Sequence, residues 1–571
     1  MNTIRKSILI LISISVLAGC EYTEPDNLSF LKDKEIYNNI TKIRSVLNNI
    51  YSGLPGGYSD INAQLSKASD EAEEVNSMDA IQNFNIGNIT PFSNPDDNWN
   101  TSFESIRNAQ IFLQSTDTLT WSELEHSNPP EYALRHSLID QYKGEAKFLT
   151  GFFYFELIKR YGGVPIVDTV IDKNSDWISK FPRKSFAECV DYIVSMCDEA
   201  AQVLPVNHDT GNWGRATKGA ALALKARTLL YAASELYNNS ANTDPLLGYV
   251  GGNRQQRWIK AAEANKAVLD LTPKYTFHAT YQGLSLLGAT QSKEVIFERR
   301  YGASNSFEKE NTPIGFQFGA TGTCPTQNLV DAYEQLDAPD KKFDWNNPAH
   351  AANPYNRRDP RLAKTVVTNA SKFGPAAANI ELWTGGLNGK PRDRASKTGY
   401  YLRKYMDENL DLLLNETSKK QWVFFRLSEI YLNYAEAMNE AYGPSSAGTG
   451  TLSLTSLQAI NTVRTRPAVN ISAIPAGTSQ QDLRVKIQKE RQVELAFEGH
   501  RYWDARRWMI ADQAIGGTLR GVDIVKAANG SVTYTPIVVE TRTWNDRFYY
   551  YPIPQTEINK SAGVIVQNKG W

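Results

Sequence analysis

Apolar residues recur at intervals of three and four along several stretches of the chain, which is the spacing of one face of an α-helix. The clearest stretch runs from Ile139 to Leu157. Gly162, Gly163 and Pro165 follow it and are residues that end helices. The pattern therefore predicts a helix here with a defined C-terminal end.

Two further helices carry signals at their N-terminal ends. Ser185 and Glu188 have the spacing of a capping box, and the helix that follows them ends at Leu204. Thr217 can cap the alanine-rich stretch after it. The same periodicity predicts helices over residues 103–112, 257–271, 427–442, 456–464 and 479–508.

Short connections between successive helices favour antiparallel helical hairpins, the unit that stacks in tetratricopeptide-like scaffolds. No strict repeat of about 34 residues is visible, so the periodicity alone supports this only weakly. Residues 273–420 differ, because Gly, Pro, Asn and Asp interrupt them every few positions and no helical period persists. We expect a mainly α fold with this long, mostly irregular insertion and few short strands, and loops of such length usually carry function.

The N-terminal segment predicts export and lipidation. Arg5 and Lys6 precede an apolar run that ends at Ala18, which is too short for a membrane-spanning helix and reads as a signal peptide. The junction at Gly19 and Cys20 is similar to a bacterial lipobox. In a lipobox the signal peptide is cleaved before the cysteine, which is lipidated and becomes the first residue of the mature protein. We therefore expect residues 1–19 to be removed, 20–34 to form a polar tether and 35–571 to form one body.

Charge and cysteine content exclude several classes of protein. The 571 residues carry 61 Lys and Arg against 62 Asp and Glu, which leaves no basic excess for a nucleic-acid backbone. Cys189 and Cys197 lie eight positions apart in a helical pattern, about 12 Å and beyond disulfide reach. The histidines and cysteines show no metal-ligand spacing, so we predict no metal and no cofactor.

The strongest catalytic candidates are Glu490, Glu494 and Glu498, which are spaced four apart and would share one helical face. Paired carboxylates can cleave a glycosidic bond. Glu and Arg at such spacings more commonly form an ion network, here expected with the arginines 491, 501, 506 and 507. We favour the network, interpret His500 as structural and predict no catalytic residue. A surface glycoside hydrolase is the alternative.

Several motifs together resemble the SusD/RagB family of Bacteroidetes outer-membrane lipoproteins, and the segment 490–508 is the most specific part of the likeness. The motifs lie, in the family's order, at residues 144–149, 161–165, 220–230, 357–362, 426–437, 490–504 and 551–554. The resemblance implies a tetratricopeptide-like helical half, mainly 35–272 and 421–512, a loop-rich ligand-binding part, mainly 273–420, and a C-terminal segment 513–571.

The resemblance also implies a function. Such proteins capture nutrients, typically glycans, for a SusC-like TonB-dependent barrel in the outer membrane. They are anchored to that membrane and face its extracellular side. We expect a non-catalytic oligosaccharide-binding lipoprotein without a cofactor that covers this barrel as a lid. Some family members serve peptide uptake, so a peptide ligand is an alternative.

Ligand contacts are predicted from side-chain chemistry, because aromatic faces stack on sugar rings and amides bind hydroxyls. Trp345 with Asn346 and Trp383 lie in the loop-rich insertion, and Trp99 follows Asn98 before a helix. A packing role is the alternative for each of these tryptophans. Two other tryptophans, Trp503 and Trp508, are expected in the core.

Overall fold

The computed structural model describes residues 36–58, 64–171, 180–284, 286 and 292–571. The predicted signal peptide, Cys20 and the tether lie outside this range. The described chain is mainly helical, with strands that pair two by two.

The helices of eight or more residues are α1 (Ile40–Ser52), α3 (Trp99–Asp117), α5 (Pro129–Tyr161), α6 (Phe186–Val203), α7 (Lys218–Ala233), α8 (Arg254–Leu269), α13 (Leu427–Tyr442), α14 (Ser456–Arg464) and α15 (Gln480–Glu494). Shorter ones are α2 (Gln82–Asn85), α4 (Ser122–Ser127), α9 (Ser306–Asn311), α10 (Gln327–Ala332), α11 (Pro348–Ala352), α12 (Leu362–Thr365), α16 (Arg501–Arg507), α17 (Ala511–Ala514) and α18 (Gln555–Lys560). The strands are β1 (Ala72–Glu74), β2 (Val295–Ser304), β3 (Thr323–Pro325), β4 (Val366–Val367), β5 (Lys372–Phe373), β6 (Ala378–Asn379), β7 (Tyr401–Leu402), β8 (Ser418–Arg426), β9 (Thr518–Lys526) and β10 (Val532–Thr541).

The predicted helices are present, apart from a break in the last one, and four of them stack in sequence. Helix α5 packs on α6, α6 on α7 and α7 on α8, and α8 then packs on α13 across the insertion. The capping box of Ser185 and Glu188 is formed, and the Thr217 hydroxyl accepts a hydrogen bond from the backbone of its helix. The mainly α prediction with a loop-rich insertion is confirmed.

The helix predicted over 479–508 is wrong at its centre. Helix α15 ends at Glu494 and α16 begins at Arg501. Between them Phe497 and Gly499 have φ values of 63° and 76°, in the left-handed region that a continuous helix excludes. Glu498 therefore lies outside the helical face that carries Glu490.

Strand pairing joins the two halves. Strands β2 and β8 form an antiparallel ladder in which Val295 lies opposite Arg426, and β8 passes directly into α13 at Leu427. Strands β9 and β10 form a hairpin in the C-terminal segment that the hydrophobic pattern did not predict. The ladder places the start of the insertion against the helical stack.

The core contains four of the eleven described tryptophans and all described cysteines. Trp503 is buried as expected, whereas Trp508 is only partly buried and donates its indole N–H to Glu436. Cys189, Cys197 and Cys324 are buried and free of disulfides.

Candidate functional site

Glu490, Glu494 and Glu498, which we call the acidic trio, form a buried ion network. Glu490 lies 2.5 Å from Arg361, and Glu494 lies 2.8 Å from both Arg361 and Arg426. Glu498 lies 2.7 Å from Arg426. The cations that bind the trio are Arg361, Arg426, Arg464, Arg466 and Lys404.

These partners differ from the arginines that the sequence predicted. Arg491 and Arg507 bind Asp504, at 2.9 and 2.7 Å, and Arg501 binds Asp70 at 2.7 Å. Arg506 donates to the hydroxyl of a neighbouring tyrosine. Arg491 lies before the helix break and the other three arginines follow it, and the cations that bind the acidic trio come from distant parts of the chain.

The network favours the ionised form of Glu494 and Glu498. Burial alone would raise the pKa of Glu494, but the attraction of Arg466, Arg426 and Arg361 outweighs it and holds the pKa well below its usual range. Burial, together with the surrounding cations, lowers the pKa of His500 well below its usual value, which favours the neutral imidazole. A carboxylate that stays ionised does not serve as a general acid, so the network suits a scaffold.

Trp99 lies in the core rather than on a binding surface. Its side chain is 3% exposed, and its ring packs 4.9 Å from Phe103 and 5.3 Å from Tyr161 between ring centroids. The backbone N–H of Asn98 donates to the Tyr161 hydroxyl. This packing leaves no face of the indole for a ligand. Trp99 therefore has the packing role rather than that of a ligand contact.

Trp345 and Trp383 are partly buried in the loop-rich half. The ring of Trp345 lies 4.9 Å from that of Phe343, and the exposed Asn346 donates its side-chain amide to Asp344. The ammonium of Lys526 lies 4.1 Å from the centroid of Trp383. Both indoles keep some exposed surface, and their ligand role stays a prediction.

A groove that the sequence did not indicate lies elsewhere in the same half, and we call it the loop-face groove. It encloses about 270 Å³ and is lined by Phe316, Phe373, Met406 and Leu413, together with polar side chains. The rings of Phe316 and Phe373 meet edge to face at 5.4 Å. The polar side chains that line it include Glu308, Gln317, Asp407, Glu408 and Asp411.

The loop that carries Phe316 is shaped by unusual backbone angles. Gly315 has a φ of 93°, and a Cβ there would lie 2.3 Å from the carbonyl oxygen of Leu387, so only glycine fits. Phe318 itself has a φ of 59° and is 48% exposed. Strained angles that display an aromatic ring are typical of functional loops.

Glu308 lines the loop-face groove and carries an unsatisfied buried acceptor. Its side chain is 2% exposed, and Oε1 pairs with Lys420 and accepts from the backbone N–H of Asp407 at 3.0 Å. Among the described residues, Oε2 has no hydrogen-bond partner. A buried carboxylate oxygen without a protein partner is costly to leave bare, so a donor there, from a bound water or a ligand, is favourable.

The tryptophans of the chain do not predict this groove, because none of those in the described ranges lines it. The signal was present in Gly315, Phe316, Phe318 and Gly319, where two aromatic residues alternate within a glycine-flanked loop. Phe373 and Leu413 come from remote segments, and only the fold brings them together.

Two properties of the described residues bear on other kinds of site. Among them, no helix combines the length and apolar character that a membrane span requires. Nor do His, Cys, Asp and Glu in the described ranges gather in a group of three or more suited to a metal ion.

The fold and site define a class of protein: a stack of helical hairpins that carries a loop-rich half with a partly apolar groove. Two family models match the sequence, one described as the SusD family over residues 293–571 and one described as starch-binding associating with outer membrane over residues 26–230. The chain belongs to the SusD/RagB family.

Known relatives cover nearly its whole length. SusD-like protein P38 of Formosa agariphila is 24% identical over 90% of this chain and 93% of its own. A SusD-like protein from Bacteroides fragilis is 26% identical with a TM-score of 0.75 and covers 95% of this chain and 99% of its own. Surface glycan-binding protein A from Bacteroides fluxus is 19% identical with a TM-score of 0.62, covers 93% and 99%, and supports the fold alone.

Proposed function

We propose that this protein is a lipid-anchored surface receptor that binds oligosaccharides without cleaving them and delivers them to a TonB-dependent outer-membrane transporter. The observation that carries the proposal is the loop-face groove, which combines the ring of Phe316 with polar side chains that include Gln317 and Asp407. A pyranose presents an apolar C–H face and a rim of hydroxyl donors, and this groove offers a complement to each. The family description that names starch binding, matched over residues 26–230, supports the same ligand class.

Substitution of Phe316 tests the groove. Phe316→Ala removes the partly buried ring, and we expect binding of a polysaccharide that the wild type retains in an affinity gel to weaken about ten- to a hundredfold. Phe92→Ala is the matched control, because Phe92 is 82% exposed and does not line the groove. If the gel retained Phe316→Ala as strongly as the wild type, the groove would not be the binding site. If the wild type bound peptides selectively, the ligand class would be peptides rather than oligosaccharides.

The absence of catalysis is a separate proposal and has its own assay. The acidic trio is occupied by arginine and lysine, which supports binding without cleavage. Purified protein incubated with the retained polysaccharide should release no new reducing ends. If the wild type released new reducing ends and Glu494→Gln did not, hydrolysis would be established instead.

The lipid anchor is proposed at Cys20, from the Leu17-Ala18-Gly19-Cys20 junction. Each buried methylene of an acyl chain contributes about 0.8 kcal/mol to membrane binding, so several chains would anchor the protein firmly. Radiolabelled palmitate should enter the wild-type protein, and Cys20→Ala should release it from membranes. Membrane retention of an unlabelled wild type would overturn the anchor.

The transporter partner is proposed because a tethered receptor needs another protein to move its ligand across the membrane. Tethering raises the local concentration of the receptor around such a partner, so a modest interface suffices. Extraction in mild detergent through a tag on this protein should recover a large outer-membrane barrel. Recovery of the lipoprotein alone after crosslinking in cells would contradict the lid arrangement.

A further inference from the structure

A second cleft lies outside the loop-face groove, between the connection from α6 to α7, the segment after α8 and the first residues of β2. We call it the β2 cleft. It encloses about 400 Å³ and is lined by Trp213, Tyr275, Lys274, Lys293 and Glu298 among others. Strand β2 runs from this cleft toward α9, and its ten residues span about 30 Å. The two sites are therefore well separated.

Glu298 marks the β2 cleft as a built site. Its side chain is 1% exposed, and Oε1 accepts a hydrogen bond from Arg300 Nη1 at 3.0 Å. Among the described residues, Oε2 has no hydrogen-bond partner. Burial raises the pKa of this carboxyl, although Arg300 opposes the shift. A donor from a ligand would satisfy an acceptor that is costly to leave bare.

Trp213 is held beside this carboxylate. The guanidinium carbon of Arg300 lies 5.2 Å from the centroid of the indole, so Arg300 contacts both Trp213 and Glu298. Gly214 has a φ of 89° and passes close to β2, where an added Cβ would lie 3.5 Å from the Glu298 carbonyl oxygen. These contacts fix a partly buried aromatic ring at the cleft, beside the ion pair of Arg300 and Glu298.

Two exposed cations complete the lining. Lys274 and Lys293 are exposed and form no ion pair with any residue in the described ranges. Glu298 already pairs with Arg300, so the cleft carries net positive charge. An anionic group on the ligand is therefore favoured at the rim, while hydroxyl donors are favoured at Glu298.

We propose that the β2 cleft is a second saccharide site that takes acidic glycans, with a hydroxyl on Glu298 Oε2, a sugar ring against Trp213 and a carboxylate near Lys274 and Lys293. The site does not depend on the loop-face groove. Two separated sites on one chain would let a long acidic polysaccharide bind with greater apparent affinity than either site alone.

Fluorine NMR of the mature protein labelled with 5-fluorotryptophan tests the site directly, because Trp213→Phe assigns the Trp213 signal. Titration with tetragalacturonate should shift this signal to saturation, and neutral cellotetraose should bind at least about tenfold more weakly. Glu298→Gln replaces the free acceptor with a donor and should weaken tetragalacturonate about tenfold.

Controls separate the β2 cleft from the proposed function. The double variant Lys274→Gln/Lys293→Gln should bind tetragalacturonate several-fold more weakly, and it tests the site even if Glu298→Gln does not fold. Lys260 is exposed and lies outside the cleft, so Lys260→Gln should bind tetragalacturonate as the wild type does. Phe316→Ala should leave the Trp213 titration unchanged. A Trp213 signal that does not respond, equal binding of cellotetraose, or unaltered affinity in both the glutamate and lysine variants would overturn the proposal.

Discussion

The helical half and the loop-rich half differ in how completely they satisfy their buried carboxylates. In α15, Glu494 binds Arg426 and Arg466 through Oε1 and Arg361 through Oε2. In the insertion, Glu308 pairs through Oε1 and leaves Oε2 without a partner among the described residues. The comparison indicates that saturated carboxylates hold the scaffold together, whereas the loop-rich half keeps a buried acceptor beside its groove without a protein partner.

The saturated network also joins the two halves. Arg361 precedes α12 in the insertion but binds Glu490 and Glu494 of the helical half. Arg426 ends β8 and binds Glu294, Glu494 and Glu498. The charges therefore fix the position of the loop-rich half on the helical stack, which in turn positions the groove.

The largest expected effect follows from removing one of these cations. Arg426→Met leaves the buried carboxylates of Glu494 and Glu498 with fewer partners, and we expect the free energy of unfolding to fall by about 3–5 kcal/mol. Urea denaturation followed by circular dichroism measures it. Arg484→Met is the matched control, because its ion pair with Glu440 is partly exposed and should contribute less than about 1 kcal/mol. Equal losses in the two variants would contradict the structural role of the network.

Replacing Glu71 should give the next largest change in the free energy of unfolding, and this change is an increase. Burial and the neighbouring Asp70 raise the pKa of Glu71 to about 8. The folded protein then keeps this proton over a range where the unfolded chain, with an ordinary pKa near 4.5, has lost it. The resulting stabilisation is complete below pH of about 4.5 and is lost as the pH rises toward 8.

Glu71→Gln tests this linkage, because the amide resembles the protonated carboxyl at every pH. We expect the variant to be more stable than wild type by about 2–3 kcal/mol at pH 7 and to differ little at pH 4.5. Urea unfolding at several pH values provides the comparison. A gain that does not grow between pH 4.5 and 7 would show that the carboxyl is ionised in the folded state.

The helical half could be predicted from the sequence because its signals are local. The period from Ile139 and the capping box at Ser185 specify helices without knowledge of the rest of the chain. The break after Glu494 was missed because Phe497 adopts a left-handed conformation, and its backbone N–H lies 3.4 Å from Glu71, 426 positions away. Helical periodicity continues through such a break, so only tertiary contacts reveal it.

The site was harder to predict for the same reason. Trp99 reads as a loop tryptophan among asparagines, but Tyr161, more than one helix away, covers it. Phe316 and Phe373 come from separate loops and form a groove only where those loops meet. Residue type indicates which side chains can bind a sugar, whereas exposure depends on packing between distant segments.

The smallest expected change in stability is at Trp345. Its indole is partly exposed and packs mainly on Phe343, so Trp345→Ala should lower the free energy of unfolding by about 1 kcal/mol. Trp503→Ala is the contrasting control, because Trp503 is buried beside Tyr502 and Tyr551 and its removal should cost about 3–5 kcal/mol. Calorimetry of both variants, with titration of the polysaccharide that the wild type retains, separates stability from binding. If Trp345 contacts the ligand, its variant loses affinity about tenfold or more while remaining folded. If its variant binds normally, the predicted contact is wrong and the loop-face groove alone accounts for the affinity of this half.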